Sequence, residues 1–304
     1  MATFEESGSE IVSDAEPKLL SIKNIASTAG KILRARLPWA PIIIMAVVVI
    51  CAIFAPLLAP HDPTDIDIGV RKLAPGENWS YPLGTDRLGR DMLSRLIYGA
   101  RTSAFISLVA LGAGAVVGTT VGLVSGYAGK WTDTILMRIT DAAMGFPTIL
   151  AAMIIVTILG AGIANIILAI AVTVWARFAR MIRGEVLQVR NRDFVLAARI
   201  TGVSPVMIIW RHIFPNVINT LLIILTLLVG QTILLEASLS FLGLGLAPGA
   251  SAWGLMVAEG RDYLISMWWL SLLPGLVITM VVMAFNFFGD WLRDTLDPKL
   301  RRSI

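Results

Sequence analysis

A bundle of six membrane-spanning α-helices is the fold this sequence predicts, and three observations predict it. Apolar residues fill 56% of the 304 positions and charged residues only 15%, against roughly half and a quarter in soluble domains. The apolar residues come in long runs rather than amphipathic periods, and about 20 of them suffice to cross a bilayer core of about 30 Å. Lys and Arg gather in alternate connecting segments, as the positive-inside rule requires.

The expected spans run from Trp39 to Leu58, Ser103 to Tyr127, Leu136 to Leu159, Ile163 to Ile182, Val217 to Leu239 and Met267 to Phe288. In lipid each segment must satisfy its own backbone donors and acceptors, which selects helices. The short alternating segments of a membrane β-barrel are absent. The expected organisation is a cytoplasmic tail over 1–37, a first helix over 38–59 and an extracytoplasmic loop over 60–101. A permease core over 102–292 and a cytoplasmic tail over 293–304 complete it. The first tail carries Glu5, Glu6, Glu10, Asp14 and Glu16 with almost no aromatic content, a composition that predicts disorder. No signal peptide precedes the run starting near Trp39, which is already long enough to span.

Placing the N-terminus inside puts 18 of the 25 basic residues on the inner face. Six of the remainder share the first outer loop with Asp62, Asp65, Asp67, Glu77, Asp86 and Asp91. Both ends are therefore expected inside. The pI near 9.5 follows from this inner excess, with no need for a nucleic-acid partner. Trp39, Trp131 and Trp291 near inner ends, and Trp268 with Trp269 near an outer end, fit an interfacial aromatic belt.

The most organised polar interval is FVLAARITGVSPVMIIWRHIFP, Phe194 to Pro215, between the fourth and fifth spans. Helix formers lead to Gly202, a helix-ending residue, and Ser204–Pro205 reads as an N-cap followed by proline at the first helical position. The second short helix is expected to pass through Trp210 and His212 and to end at Pro215. Small residues Ala197, Ala198 and Gly202 allow a partner to approach closely, and Arg199 and Arg211 are placed to meet its carboxylates.

These residues resemble the cytoplasmic loop of the membrane subunits of ATP-binding cassette importers. That loop carries two adjacent alanines, a glycine four residues after the second and a proline thirteen further on. Ala197, Ala198, Gly202 and Pro215 keep the spacing, while Leu196 stands where the pattern has glutamate and His212 where it often has isoleucine. YPLGTDRLGRDMLSRLIYGARTS (81–103), MRITDAAMGFP (137–147) and LLEASLSFLGLG (234–245) resemble the dipeptide, oligopeptide and nickel permeases. The resemblance implies a bacterial cytoplasmic-membrane subunit that imports peptides and is not itself an enzyme. Its implied partners are a second homologous permease, two cytoplasmic ATPases that bind the ATP and Mg, and an extracytoplasmic substrate-binding protein. Nickel or another small solute is the alternative cargo, and a stand-alone secondary transporter the alternative class.

Three further features ask for a role. Gly114, Gly118, Gly122 and Gly126 form a four-residue ladder in the second span, the small-residue spacing that lets helices pack closely; its neighbour is either in this chain or in a partner. Glu236, with Gln231 and Ser240 nearby, is a deep carboxylate expected to line a translocation cavity or fix a gate. Asp141 is expected at the same pathway or as a partner of Arg138 or Arg177. The loop sequence GTDRLGRD, with Asp86, Arg87, Arg90 and Asp91, reads either as a helix that meets a delivering protein or as a self-paired loop. The phosphate-binding glycine–lysine loop fails, since Gly129-Lys130 is followed by Trp131 and position 124 is valine. HExxH and GxSxG are absent, His61 and His212 fall on opposite sides, and Cys51 is the single cysteine. No cofactor is expected in this chain.

Overall fold

The computed structural model describes residues 37–296; the polar N-terminal tail and the end of the C-terminal one lie outside them. Helix α1, Trp39–Leu58, matches the first expected span. It bends at Phe54, two residues before Pro56, where the proline ring crowds the preceding turn. Ala55 is its one buried residue, so its apolar surface is left for lipid.

A loop with a 3-10 turn at Ile68–Val70 leads to α2, Met92–Ala128, a helix of 37 residues and therefore about 55 Å long. It starts eleven residues before the expected span because Asp91 caps it, accepting from the amides of Leu93 at 3.3 Å and Ser94 at 3.0 Å. Asp86–Asp91 itself is a tight turn and not the helix one reading expects, closed by a Thr85–Asp91 bridge.

The third expected span is not continuous. It divides into α3, Lys130–Met144, and α4, Thr148–Leu159, bent by 85° at the Gly145–Pro147 break. Proline disfavours helical geometry in the residue before it. Moreover, α3 carries Lys130, Asp133, Arg138 and Asp141 and α4 alone is about 18 Å long, short of the bilayer core, so only the two together are long and apolar enough for the third crossing.

Helix α5, Ile163–Val189, extends past the expected span at its inner end. Helices α6, Asp193–Ile200, and α7, Pro205–Ile208, form the loop, and a π-helical turn over Ile209–Ile213 joins α7 to α8, Phe214–Phe241. A short α9, Trp253–Gly260, and a 3-10 turn at Arg261–Tyr263 precede α10, Trp269–Leu296. The core centres on the α2–α5 pairing, with α8 packed beside it, α10 on α8 and α9, and α1 against α2 and α10.

The two ends differ. At one, the loop after α1 packs on α9 and the start of α10: the Trp269 indole donates to Thr85 O at 3.1 Å. Trp269 is thus 5% exposed and sits inside the cap rather than in the expected belt, whereas Trp39, Trp131 and Trp268 are exposed. At the other end α2 terminates against the α6–α7 loop, where Arg199 stacks on Tyr127 at 4.8 Å.

Candidate functional site

The α6–α7 loop is built by backbone geometry. At the end of α6, Gly202 adopts φ +78°, a conformation costly to any residue with a Cβ. Its amide donates to Arg199 O at 3.1 Å and that of Val203 to Ala198 O at 3.1 Å, the double bond of a Schellman motif. Ser204 occupies the N-cap of α7 without a side-chain cap bond, and Pro205 follows at the first position.

The far side of the loop departs from the expectation. Pro215 does not end the second helix: it lies in the first turn of α8, and Pro205 to Phe241 runs as one 37-residue rod. The π turn immediately before Pro215 widens the helix where the proline supplies no amide hydrogen.

Ala198, Val195, Ile208 and Ile213 seat the loop in the core. Ala197, Arg199, Gly202 and Arg211 face outward, beside Ile200 (87% exposed), Val206 and Trp210. Together they form an exposed apolar patch with basic residues among it, the kind of surface that marks a contact with protein or membrane.

All four ladder glycines face α5 of the same chain. A Cβ on Gly118 would stand 2.1 Å from Trp175 O, one on Gly122 2.7 Å from Ala179 O, one on Gly114 2.5 Å from Val174 and one on Gly126 2.7 Å from Val186. The missing side chains let the two backbones close on each other. Farther down, Arg190 donates to Gly126 O at 2.7 Å.

The α3 acids meet arginines of α5. Asp133 binds Arg183 in a fork of 2.6 and 2.7 Å and accepts from Ser125 at 2.7 Å. Asp141 pairs with Arg180 and not with Arg138 or Arg177, because the arginine one turn nearer the α5 C-terminus faces it. Gln231 accepts from Arg177 on the wall of a cavity of about 270 Å³ between α4, α5 and α8.

Glu236 lies off that wall. It is fully buried, taking a 2.9 Å hydrogen bond from Ser240 while Oε2 has no partner among the described residues. Ser103 of α2 is its other polar neighbour, and Ser103 also accepts from the Trp253 amide at 3.3 Å. Glu236 thus stands at the junction of α8 with α2 and α9.

At the outer end the loop charges pair beyond their own loop. Asp86 holds Arg90 at 2.6 Å and Arg95 at 2.9 Å, and both reach Glu259 of α9, at 3.3 and 2.7 Å. Glu259 carries no local sequence signal, because its partners lie 164 and 169 residues away. Arg87 stays outside, stacked on Tyr263.

A long bundle without strands among its described residues, with an inner helical elbow continuous with one span, defines a membrane subunit of the transport class. The comparisons agree. Residues 118–302 match the family described as binding-protein-dependent transport system inner membrane component, and residues 31–75 the N-terminal TM domain of oligopeptide transport permease C. The chain is 39% identical over 266 residues to the di/tripeptide transport system permease protein of Pseudomonas aeruginosa, covering 86% of this chain and 88% of that one. It is 40% identical over 261 residues to the dipeptide transport system permease protein of Alkalihalophilus pseudofirmus, covering 86% and 85%. A chain of the MetNI methionine ABC transporter, in an inward-facing conformation, shares the fold: TM-score 0.57 at 17% identity over 68% of this chain and 98% of that one. This chain belongs to the family of inner membrane components of binding-protein-dependent transport systems. It is accordingly a multi-pass transport subunit of the inner membrane, and such systems join a permease to an ATPase and a substrate-binding protein.

Proposed function

We propose that this chain is one of two homologous permease subunits of an ATP-driven importer of di- and oligopeptides. Its relatives named as dipeptide and di/tripeptide permeases support the cargo class. Two cytoplasmic ATPases dock on residues 194–215, and an extracytoplasmic binding protein delivers the peptide. ATP and Mg belong to the ATPases.

The observation that carries this reading is the continuity of the elbow with α8. ATP binding draws the two ATPases together and moves the elbow through Ala197, Ala198, Arg199, Gly202 and Arg211. The elbow runs into α8 through the π turn before Pro215, so α8 tilts with it and carries Gln231 on the cavity wall. Glu236 links that tilt to α2 and α9, and Asp141 holds α3 to α5 beside the same path. The ladder Gly114, Gly118, Gly122 and Gly126 keeps α2 and α5 moving as one body. Hydrolysis and product release restore the inward-open state, a population shift driven by different ATPase contacts in the two states.

The testing experiment is a deletion of Ala197–Gly202, or Gly202→Pro, in the assembled complex. The variant chain is expected in the membrane at normal level, with peptide uptake abolished. Uptake at the normal rate with either variant would show that the elbow transmits nothing.

A further inference from the structure

Helix α5 carries three arginines at intervals of three residues: Arg177, Arg180 and Arg183. Two are neutralised by α3, Arg180 by Asp141 and Arg183 by the Asp133 fork. Arg177 is different. Its guanidinium donates to Gln231 Oε1 and, at 3.1 Å, to Thr148 Oγ1. Both partners are neutral, and among the described residues no carboxylate pairs with it.

Its depth makes this costly. Arg177 lies fourteen residues from Ile163, the start of α5, about 21 Å along a helix long and apolar enough to cross a membrane. A charge held there marks a binding or transport path by default. Two cavities meet at it. One of about 250 Å³ lies toward Phe146, Ile155 and Trp175, the other of about 270 Å³ toward Leu228, Gln231 and Ser238, and Arg177 with Thr148 lines both. Each is close to the ~300 Å³ at which small-molecule sites begin, and each has mostly apolar walls with a few convergent polar groups.

We propose that Arg177 binds the α-carboxylate of the cargo as it crosses the membrane, with Thr148 and Gln231 holding the fork open for it. The inference rests on the peptide reading above and deepens it. A guanidinium pairs with a carboxylate through two parallel N–H···O bonds. The terminal carboxylate is present in every peptide whatever its side chains, so one arginine serves a broad cargo class. No acid lines either cavity, so the ammonium end has no competing partner and the peptide is held by its C-terminus.

The test uses the full complex in liposomes with its binding protein and labelled alanyl-alanine. Arg177→Gln is expected to lower the maximal uptake rate at least tenfold. The KM for liganded binding protein and the ATP hydrolysis that it stimulates stay within twofold, and Arg177→Lys recovers at least a third of the rate. Uptake by Arg177→Gln at the wild-type rate, or loss of stimulated hydrolysis in step with uptake, would overturn the inference. A second measurement keeps Arg177 in place. In a Cys51→Ser, Ser238→Cys chain within the complex, a negatively charged methanethiosulfonate is expected to react at least threefold faster than a positively charged one, and alanyl-alanine to slow it. Equal rates for the two reagents would overturn the assignment even if Arg177→Gln failed to assemble. Absence of alanyl-alanine uptake by the wild-type complex would instead remove the peptide reading beneath it.

Discussion

Replacing Gly118 by alanine adds a single methyl group at the tightest point of the α2–α5 seam. That Cβ would stand 2.1 Å from Trp175 O, 2.6 Å from Phe178 Cβ and 3.0 Å from the Ala179 amide nitrogen. Two of the three are backbone atoms, which no rotamer change can move. Ordinary contact begins at 3.4 Å, so the helices must part locally by about 1.3 Å at Trp175 O. A gap of 0.5–1 Å already forfeits a quarter to a half of each dispersion contact it opens, and overpacking of this kind costs about 1–3 kcal/mol. The helix-propensity gain of glycine to alanine, up to about 1 kcal/mol, acts in the opposite direction. Gly112 supplies the control on the same helix: a Cβ there meets nothing within 4 Å, so Gly112→Ala keeps the gain without the clash. Thermal unfolding of the detergent-solubilised complex is the assay. Gly118→Ala is expected to melt lower than wild type and Gly112→Ala at or above it. Equal midpoints for the two variants would refute the claim that the ladder sets the helix separation.

Asp86→Ala leaves Arg90 and Arg95, 6% and 2% exposed, with Glu259 as their one remaining carboxylate. Removing one member of a buried ionic cluster costs about 3–5 kcal/mol, read as a lower unfolding midpoint, and an unchanged midpoint would show the cluster to be dispensable. Arg199→Glu should weaken co-purification with the ATPases about tenfold or more, as loss of an interfacial charge pair does. Tyr127→Leu, which removes only the intrachain stack at 4.8 Å, should leave association intact. Equal loss from both variants would place the role of Arg199 in seating the loop instead of contacting a partner.

Where a single physical constraint dominates, the sequence is legible. The first span was readable to the residue because nothing but lipid compatibility acts on Trp39–Leu58. Gly202 announced the end of α6 because the αL turn needs glycine there. Errors arose where two constraints compete. Residues 136–159 are apolar enough overall to read as one span, yet Pro147 and the α3 acids break it. Pro215 reads as a stop in isolation and is absorbed by a π turn in context.

Long-range pairing was the least readable. Asp141 was expected beside Arg138 or Arg177, but which arginine it meets depends on the crossing of α3 and α5, and nothing in the sequence singled out the Asp133–Arg183 fork. Glu236 was identifiable as a deep carboxylate, whereas its placement at a helix junction, off the cavity wall, required the packing of α8 on α2 and α9. Thr148, an inconspicuous residue after a proline, gains its meaning only from the guanidinium 3.1 Å away.

The most direct test of the account is peptide accumulation in liposomes that hold the purified membrane subunits and binding protein, measured with ATP inside and with or without the two ATPase subunits. Concentrative uptake is expected only when the ATPases are present, and only with an intact 194–215 elbow. Accumulation against a gradient without them would contradict the claim that this chain is driven by a separate motor.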